Sequence, residues 1–264
     1  MNPWNLLSGF FDTHKSPGDI DPSAADNILI AWPVIFEGVK KAQNSGQGLT
    51  AFDFGCGVGS FAGELACRGY QVAASDTSSE MIQIARKHLG SVIDFHVAGA
   101  EIAATLSKAP FALISSVMVF PFIQNIESVL DDLDQALIPD GLLAVAVFNP
   151  DYVYANIGAE GGFAQTDKPF DGTDILMVMN DTRVPLYLRS EVDYNALFSK
   201  RGYVPVLCKK PEFTHDFLQK YPTETNTNFP EYIIMVYQKK VGLKPKPAFP
   251  TTASVGLTEG PKGP

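Results

Sequence analysis

From residue 49 to about residue 208, short apolar runs alternate with stretches whose apolar residues recur every three to four positions. Apolar runs bounded by turn residues mark buried strands, and their alternation with helical stretches marks βαβ units around a parallel sheet. The pattern predicts strands at 50–54, 70–75, 92–97, 111–116 and 142–148, with helices near 59–68, 78–88 and 124–137. The fold class that follows is α/β, doubly wound. The next segment, "DYVYANIGAEGGFAQTDKPFDG" at 151–172, is glycine-rich with little periodicity and reads as a long loop after the fifth strand. "DILMVMNDTRVPLYL" reads as a hairpin, Ser190 as the cap of a helix ending near Gly202, and 203–208 and 231–238 as two further strands. Upstream, "DPSAADNILIAWPVIFEGVKKA" has the apolar stripe of an amphipathic helix. The expected organisation is a helical cap at 1–48, a main domain at 49–240 with an inserted lid at 151–188, and a tail at 241–264. That tail, rich in Pro, Gly, Thr and Lys, is expected to be disordered.

Charge narrows the partners. The net charge is −9, and the 20 Lys and Arg form no dense basic run, which disfavours nucleic acid. The start, "MNPWNLLSGFFDTHK", lacks the basic flank and cleavage pattern of a signal peptide. Apolar runs such as "ILIAWPVIF" fall short of the roughly 20 residues a membrane span needs. A cytoplasmic protein with no membrane partner is expected, and its oligomeric state is left open. Cys56, Cys67 and Cys208 have no metal-type spacing, and their odd number argues against a disulfide framework.

The candidate chemistry begins in "AFDFGCGVGSFAGELACRGYQVAASD", residues 51–76, where the first strand turns into the first helix. Ligands of open parallel sheets bind at such strand ends, and glycine there lets a ligand lie against the main chain. A nicotinamide dinucleotide fingerprint, G-x-G-x-x-G, requires glycine where this chain has Ser60; the order present is Gly55-Cys56-Gly57-Val58-Gly59. With Asp53 two residues ahead, "DFGCGVG" resembles the first motif of class I S-adenosylmethionine-dependent methyltransferases, and "QVAASDTSSEMIQIAR" resembles their second. The resemblance covers roughly 49–240. It implies a Rossmann-like fold with a mostly parallel seven-stranded sheet, S-adenosylmethionine as cofactor, and a small-molecule substrate.

It also implies a set of cofactor-binding positions: Asp53, Gly55, Cys56, Gly57 and Gly59 in the first motif, and Asp76, Thr77 and Met81 in the second. In the family the acidic residue at the end of the second strand, Asp76 here, accepts hydrogen bonds from both ribose hydroxyls; a carboxylate is acceptor-only and suits two adjacent donors. The third motif departs from the family, because "VAGAE" puts Gly99 where relatives carry an adenine-binding Asp; the backbones of Ala100 and Glu101 are then expected at the ring edge. "FALISSVMVF" resembles the fourth motif and brings Ser115 and Ser116 near the methionine end. It offers no carboxylates of the kind a divalent cation needs, so no metal site is expected.

The acceptor side belongs to the cap and the insert. Trp4, Phe10, Phe11, Trp32, Phe36, Tyr152, Tyr154, Phe163 and Phe170 are candidates to wall an apolar pocket, and His14 is the candidate catalytic residue near the cap. Cap and insert lean acidic, which favours a cationic amine over an acid, and no Lys, His and carboxylate constellation stands out as a base. The expected reaction is metal-independent methyl transfer to a small, largely apolar metabolite, with N-methylation favoured. O- or C-methylation and a non-catalytic cofactor-binding subunit stay open.

Overall fold

The computed structural model describes residues 2–15, 20–42, 48–99, 110–158, 162–179 and 181–240. Among the described residues, ten strands form two sheets. The main sheet has seven, β1 (Thr50–Phe54), β2 (Gln71–Asp76), β3 (Asp94–Val97), β4 (Phe111–Val117), β5 (Leu137–Phe148), β9 (Tyr203–Lys209) and β10 (Tyr232–Lys239), in the order β3-β2-β1-β4-β5-β10-β9. All neighbouring pairs are parallel except β10, which runs antiparallel to both β5 and β9. The order reverses between β1 and β4, so the carboxyl ends of these two strands flank the crevice where such sheets bind ligands.

Both faces of the sheet are covered. Helices α2 (Trp32–Ala42), α3 (Ser60–Cys67) and α4 (Ser79–Leu89) bury Ile35, Val39, Phe61, Leu65, Ile82 and Ala85 on one face. Helices α5 (Ile126–Ala136) and α7 (Glu191–Ser199) bury Leu130, Leu133, Tyr194 and Phe198 on the other. Strands fed on both faces are near-continuously apolar: β4 is buried from Phe111 to Ser116, and β10 from Tyr232 to Gln238. The start of α7 follows the sequence expectation, with a reciprocal capping box between Ser190 and Asp193.

Two local expectations need correction. The segment 151–172 is not a continuous irregular loop. Pro150 starts helix α6 (Pro150–Ala155), where its missing N–H costs nothing, and Phe163–Phe170 forms strand β6. β6 pairs with the expected hairpin, β7 (Thr173–Met179) and β8 (Thr182–Pro185), as a three-stranded antiparallel sheet. Its signal was weak because most β6 side chains are exposed, leaving little apolar alternation. Strand β5 also begins earlier than 142, directly after α5, its first half carrying Asp140 at a φ of 60°. A short helix α8 (His215–Lys220), capped by Thr214, lies in a stretch for which the sequence pattern gave no element. The tail 241–264 lies outside the described residues.

At the amino terminus, α1 (Pro3–Leu7) is followed by a π-helical turn, Asn27–Ala31, that runs into α2. Leu7 is fully buried among Phe148, Tyr152, Val153 and Phe163, a satellite core that joins the first helix, the end of β5 and the small sheet.

Candidate functional site

The glycine turn after β1 is shaped by positive φ angles at Gly55, Gly57 and Gly59, 76°, 54° and 86°. The three glycines answer different demands. A Cβ at Gly55 would come within 2.2 Å of Val119, and one at Gly59 within 2.9 Å of Phe95, so both are required by the protein's own packing. A Cβ at Gly57 would meet only the Met81 sulfur at 3.7 Å; this glycine faces the cavity described below. The Gly55 and Cys56 N–H groups donate to the Ser75 carbonyl at 2.8 and 3.0 Å, tying the turn to the end of β2.

Asp76 ends β2. Its Oδ2 accepts the Gly57 N–H at 2.9 Å and its Oδ1 accepts the Ser78 N–H at 2.8 Å, leaving a lone pair on each oxygen for a further donor. Burial raises its pKa above the ordinary carboxylate value, against the opposing pull of those backbone N–H groups. Asp53, 2% exposed, accepts the Ser115 hydroxyl on Oδ1 at 2.7 Å, while its Oδ2 has no partner. Burial pushes Asp53 up to about 7, with the nearby Asp76 adding to the shift. The Cys56 thiol is likewise pushed well up by burial.

Asp53, Gly55, Cys56, Gly57, Asp76, Thr77 and Met81 line one cavity of about 510 Å³ over the carboxyl ends of β1, β2 and β4. Ser115 and Ser116 do not line it: both are fully buried in β4, beneath Val117, Met118 and Val119, which do. Gly59 shapes the turn without lining the cavity. Ala100 and Glu101 lie outside the described residues. His14 is also away from the lining; its Nε2 meets the Val58 carbonyl at 3.0 Å and its ring stacks on His88 at 4.3 Å. Among the described residues no group of three or more His, Cys, Asp or Glu is placed to hold a metal ion.

The amino-terminal segment roofs this cavity. Asn2 donates to the Thr77 carbonyl at 2.9 Å, Ser78 donates to Asn5 Oδ1 at 2.8 Å, and the hydroxyls of Thr13 and Ser60 share a hydrogen bond. Trp4, Phe10, Phe11 and Trp32 line the cavity, while Phe36 packs on Phe61 instead. Tyr152 and Phe163 belong to the satellite core, and Tyr154 and Phe170 are exposed. Three groups of lining residues were missed by sequence reasoning: Met118, held at a φ of 57°; the β7 methionines Met177 and Met179; and the acids Asp26 and Glu231 with the adjoining Tyr232. Asp26 was visible only as one of several cap carboxylates. Glu231 gave no signal, because its approach to Asp26 is made by the antiparallel return of β10.

The chain is similar to known proteins in the same region. A family described as "Methyltransferase domain" matches residues 52–145, from β1 into β5. A protein named "Ubiquinone biosynthesis O-methyltransferase" from Azoarcus sp. (strain BH72) is 29% identical over 119 residues, 43% of this chain and 51% of its own. Another of the same name from Rhodopseudomonas palustris (strain BisA53) is 26% identical over 210 residues, 75% of this chain and 81% of its own. The match thus spans about half the length of the first of these relatives. A crystal structure of an S-adenosylmethionine dependent methyltransferase from Mesorhizobium loti shares the fold, with a TM-score of 0.57 at 19% identity, over 78% of this chain and 96% of that one.

Proposed function

We propose that the chain is a class I S-adenosylmethionine-dependent methyltransferase and transfers the methyl group of S-adenosylmethionine to a small, largely apolar acceptor. The observation that carries the reading is one cavity that joins the Gly57 and Asp76 cradle to an aromatic wall. The residues fit the cofactor: Gly57 leaves room for a close backbone approach, Asp76 keeps acceptor capacity for two hydroxyls, and Asp53 offers a buried oxygen without a partner. When bound, the sulfonium supplies a methyl group that is already electrophilic, so positioning is the protein's main contribution. Trp4, Phe10, Phe11 and Trp32 exclude water and confine a planar or apolar acceptor, and the strained Met118 presents its side chain to the same space.

A nitrogen nucleophile suits the acidic cap and the lack of an evident base, since a neutral amine needs none. Oxygen is the second reading, supported by the name of the relatives from Azoarcus and Rhodopseudomonas. Incubation of cell extract with the protein and a methyl-labelled donor, followed by mass spectrometry, tests both. The expected result is release of S-adenosylhomocysteine with a label on nitrogen. A label on oxygen or carbon selects the other reaction, binding without turnover makes the chain a non-catalytic subunit, and no binding of the donor overturns the reading.

A further inference from the structure

The cavity is lined by four acids, Asp26, Asp53, Asp76 and Glu231, and among the described residues by no Lys, Arg or His. Asp53 and Asp76 sit at the two motifs assigned to the cofactor. Asp26 and Glu231 are left over, and they stand together at the other side of the cavity, where the start of the π-helical turn meets the start of β10.

The corner is rigid. The Asn149 N–H donates to the Glu231 carbonyl at 2.7 Å and its side-chain amide to the Pro230 carbonyl at 2.9 Å, fixing residues 230–231 to the end of β5. Asp26 caps the turn by accepting the Asn27 N–H at 2.8 Å, and its Oδ2 accepts the Tyr232 hydroxyl. The Glu231 carboxyl lies beside that of Asp26, close enough for the two acids to interact directly. Desolvation, with Asp26 beside it, pushes Glu231 well above the ordinary carboxylate range, as it must where two acids meet in one pocket. Beside the pair, Asn27 Oδ1 and Trp32 Nε1 are buried with no partner, although both residues line the cavity. Buried polar atoms are nearly always paired, so an unpaired acceptor and donor within a ligand cavity point to groups that a ligand supplies. A π-helical turn is a rare element, frequent at functional sites, and here Asp26 is its cap and Asn27 its first residue.

We infer that the Asp26–Glu231 pair, with Asn27, is the polar anchor of the methyl acceptor, selecting an apolar molecule that carries a cationic or N–H-bearing nitrogen and rejecting carboxylates. The inference rests on the methyl-transfer reading for its assignment of the rest of the cavity to cofactor. The chemistry follows from charge and donor count. The carboxyl pair presents acceptor oxygens and negative charge in a poorly solvated corner, where a charge-assisted hydrogen bond to an ammonium is strongest and a second anion is most strongly repelled.

The test uses the full chain with saturating S-adenosylhomocysteine, titrated calorimetrically with phenyl-, naphthyl- and indolyl-ethylamines and with the matching propanoates. The wild type is expected to bind at least one amine about tenfold or more tighter than its propanoate partner, and Glu231→Gln and Asp26→Asn to lose about tenfold in amine affinity. S-adenosylhomocysteine affinity in the same variants should be unchanged, which also reports that they are folded. Binding of the propanoates as tightly as the amines, no binding of any amine, or an amine preference that persists in both variants would overturn the inference. Failure of S-adenosylhomocysteine to bind the wild type would instead overturn the methyl-transfer reading, while the amine-to-propanoate ratio measured without it still decides the anchor.

Discussion

Asp76 Oδ2 accepts the Gly57 N–H at 2.9 Å, so the acidic residue of the second motif holds the glycine turn of the first. The two motifs are a single object, and Asp76 both shapes the turn and keeps acceptor capacity beside it. Asp76→Ala is therefore expected to weaken S-adenosylmethionine binding by roughly one to two orders of magnitude, since a hydrogen bond to a charged group contributes about 1.5–3 kcal/mol. Asp76→Asn should fall between, because an amide oxygen can accept from Gly57 or Ser78 while its nitrogen accepts from neither. Calorimetry on both variants checks the order; equal affinity in Asp76→Ala and wild type would remove Asp76 from the site.

Gly55 and Gly57 should separate stability from binding. At Gly55 a Cβ meets Val119 at 2.2 Å, so Gly55→Ala is expected to lower the melting temperature through a clash in the fold itself. At Gly57 the protein leaves room, and Gly57→Val adds only the strain of a β-branched residue at a φ of 54°, on the order of 1–3 kcal/mol, while filling the space for the cofactor. A folded Gly57→Val that binds S-adenosylmethionine normally would mean that the turn is not a cradle.

The roof is the part of the site least visible in the sequence. The glycine turn, Asp76 and the strand ends follow from local spacing, because a parallel sheet puts consecutive strand ends on one edge. What sits above that edge is set by contacts between distant parts of the chain: Asn5 with Ser78, His14 with Val58, Asp26 with Tyr232. No periodicity encodes such pairings, and the same holds for Glu231. His14 shows the limit from the other side: the residue type drew attention, yet its ring is spent on His88 and a backbone carbonyl. Strand β6 was missed for a different reason, since an exposed strand at a small sheet's edge has no apolar face to announce it.

If that roof is a working part of the cavity, loosening it should cost cofactor retention as well as stability. Leu7 is the pin, fully buried in the satellite core. Leu7→Ala is expected to destabilise by about 2–5 kcal/mol if the whole fold feels the void, and less if only the amino-terminal segment detaches. Detachment would appear as faster hydrogen exchange in residues 2–15 and a faster off-rate for S-adenosylhomocysteine, measured by stopped flow. An unchanged off-rate with 2–15 exposed would reduce the segment to a surface decoration.

Asp53 makes cofactor binding depend on pH in a direction that can be worked out. Its value is pushed up to about 7 by burial, with Ser115 pulling against the shift and Asp76 reinforcing it. The folded chain without cofactor thus holds this proton more tightly than the unfolded chain, whose Asp titrates near the ordinary value of about 4. By linkage, Asp53 makes the unliganded protein lose stability as pH rises from about 4 to about 7, with no further loss above. S-adenosylmethionine brings a sulfonium and an ammonium into the same cavity, which favours the ionised carboxylate and lowers the value. Binding then releases a proton from Asp53, so affinity should climb as pH rises toward about 7 and level off beyond it, as an acid that ionises on binding requires. Asp76, also raised by burial, pulls in the same direction. Asp53→Asn should flatten most of the slope, and calorimetry at pH 6 to about 6.5 in buffers of different ionisation enthalpy should show proton release in the wild type and much less in the variant. Proton uptake on binding, or a slope that survives intact in Asp53→Asn, would mean that this carboxyl does not face the cofactor's positive charge.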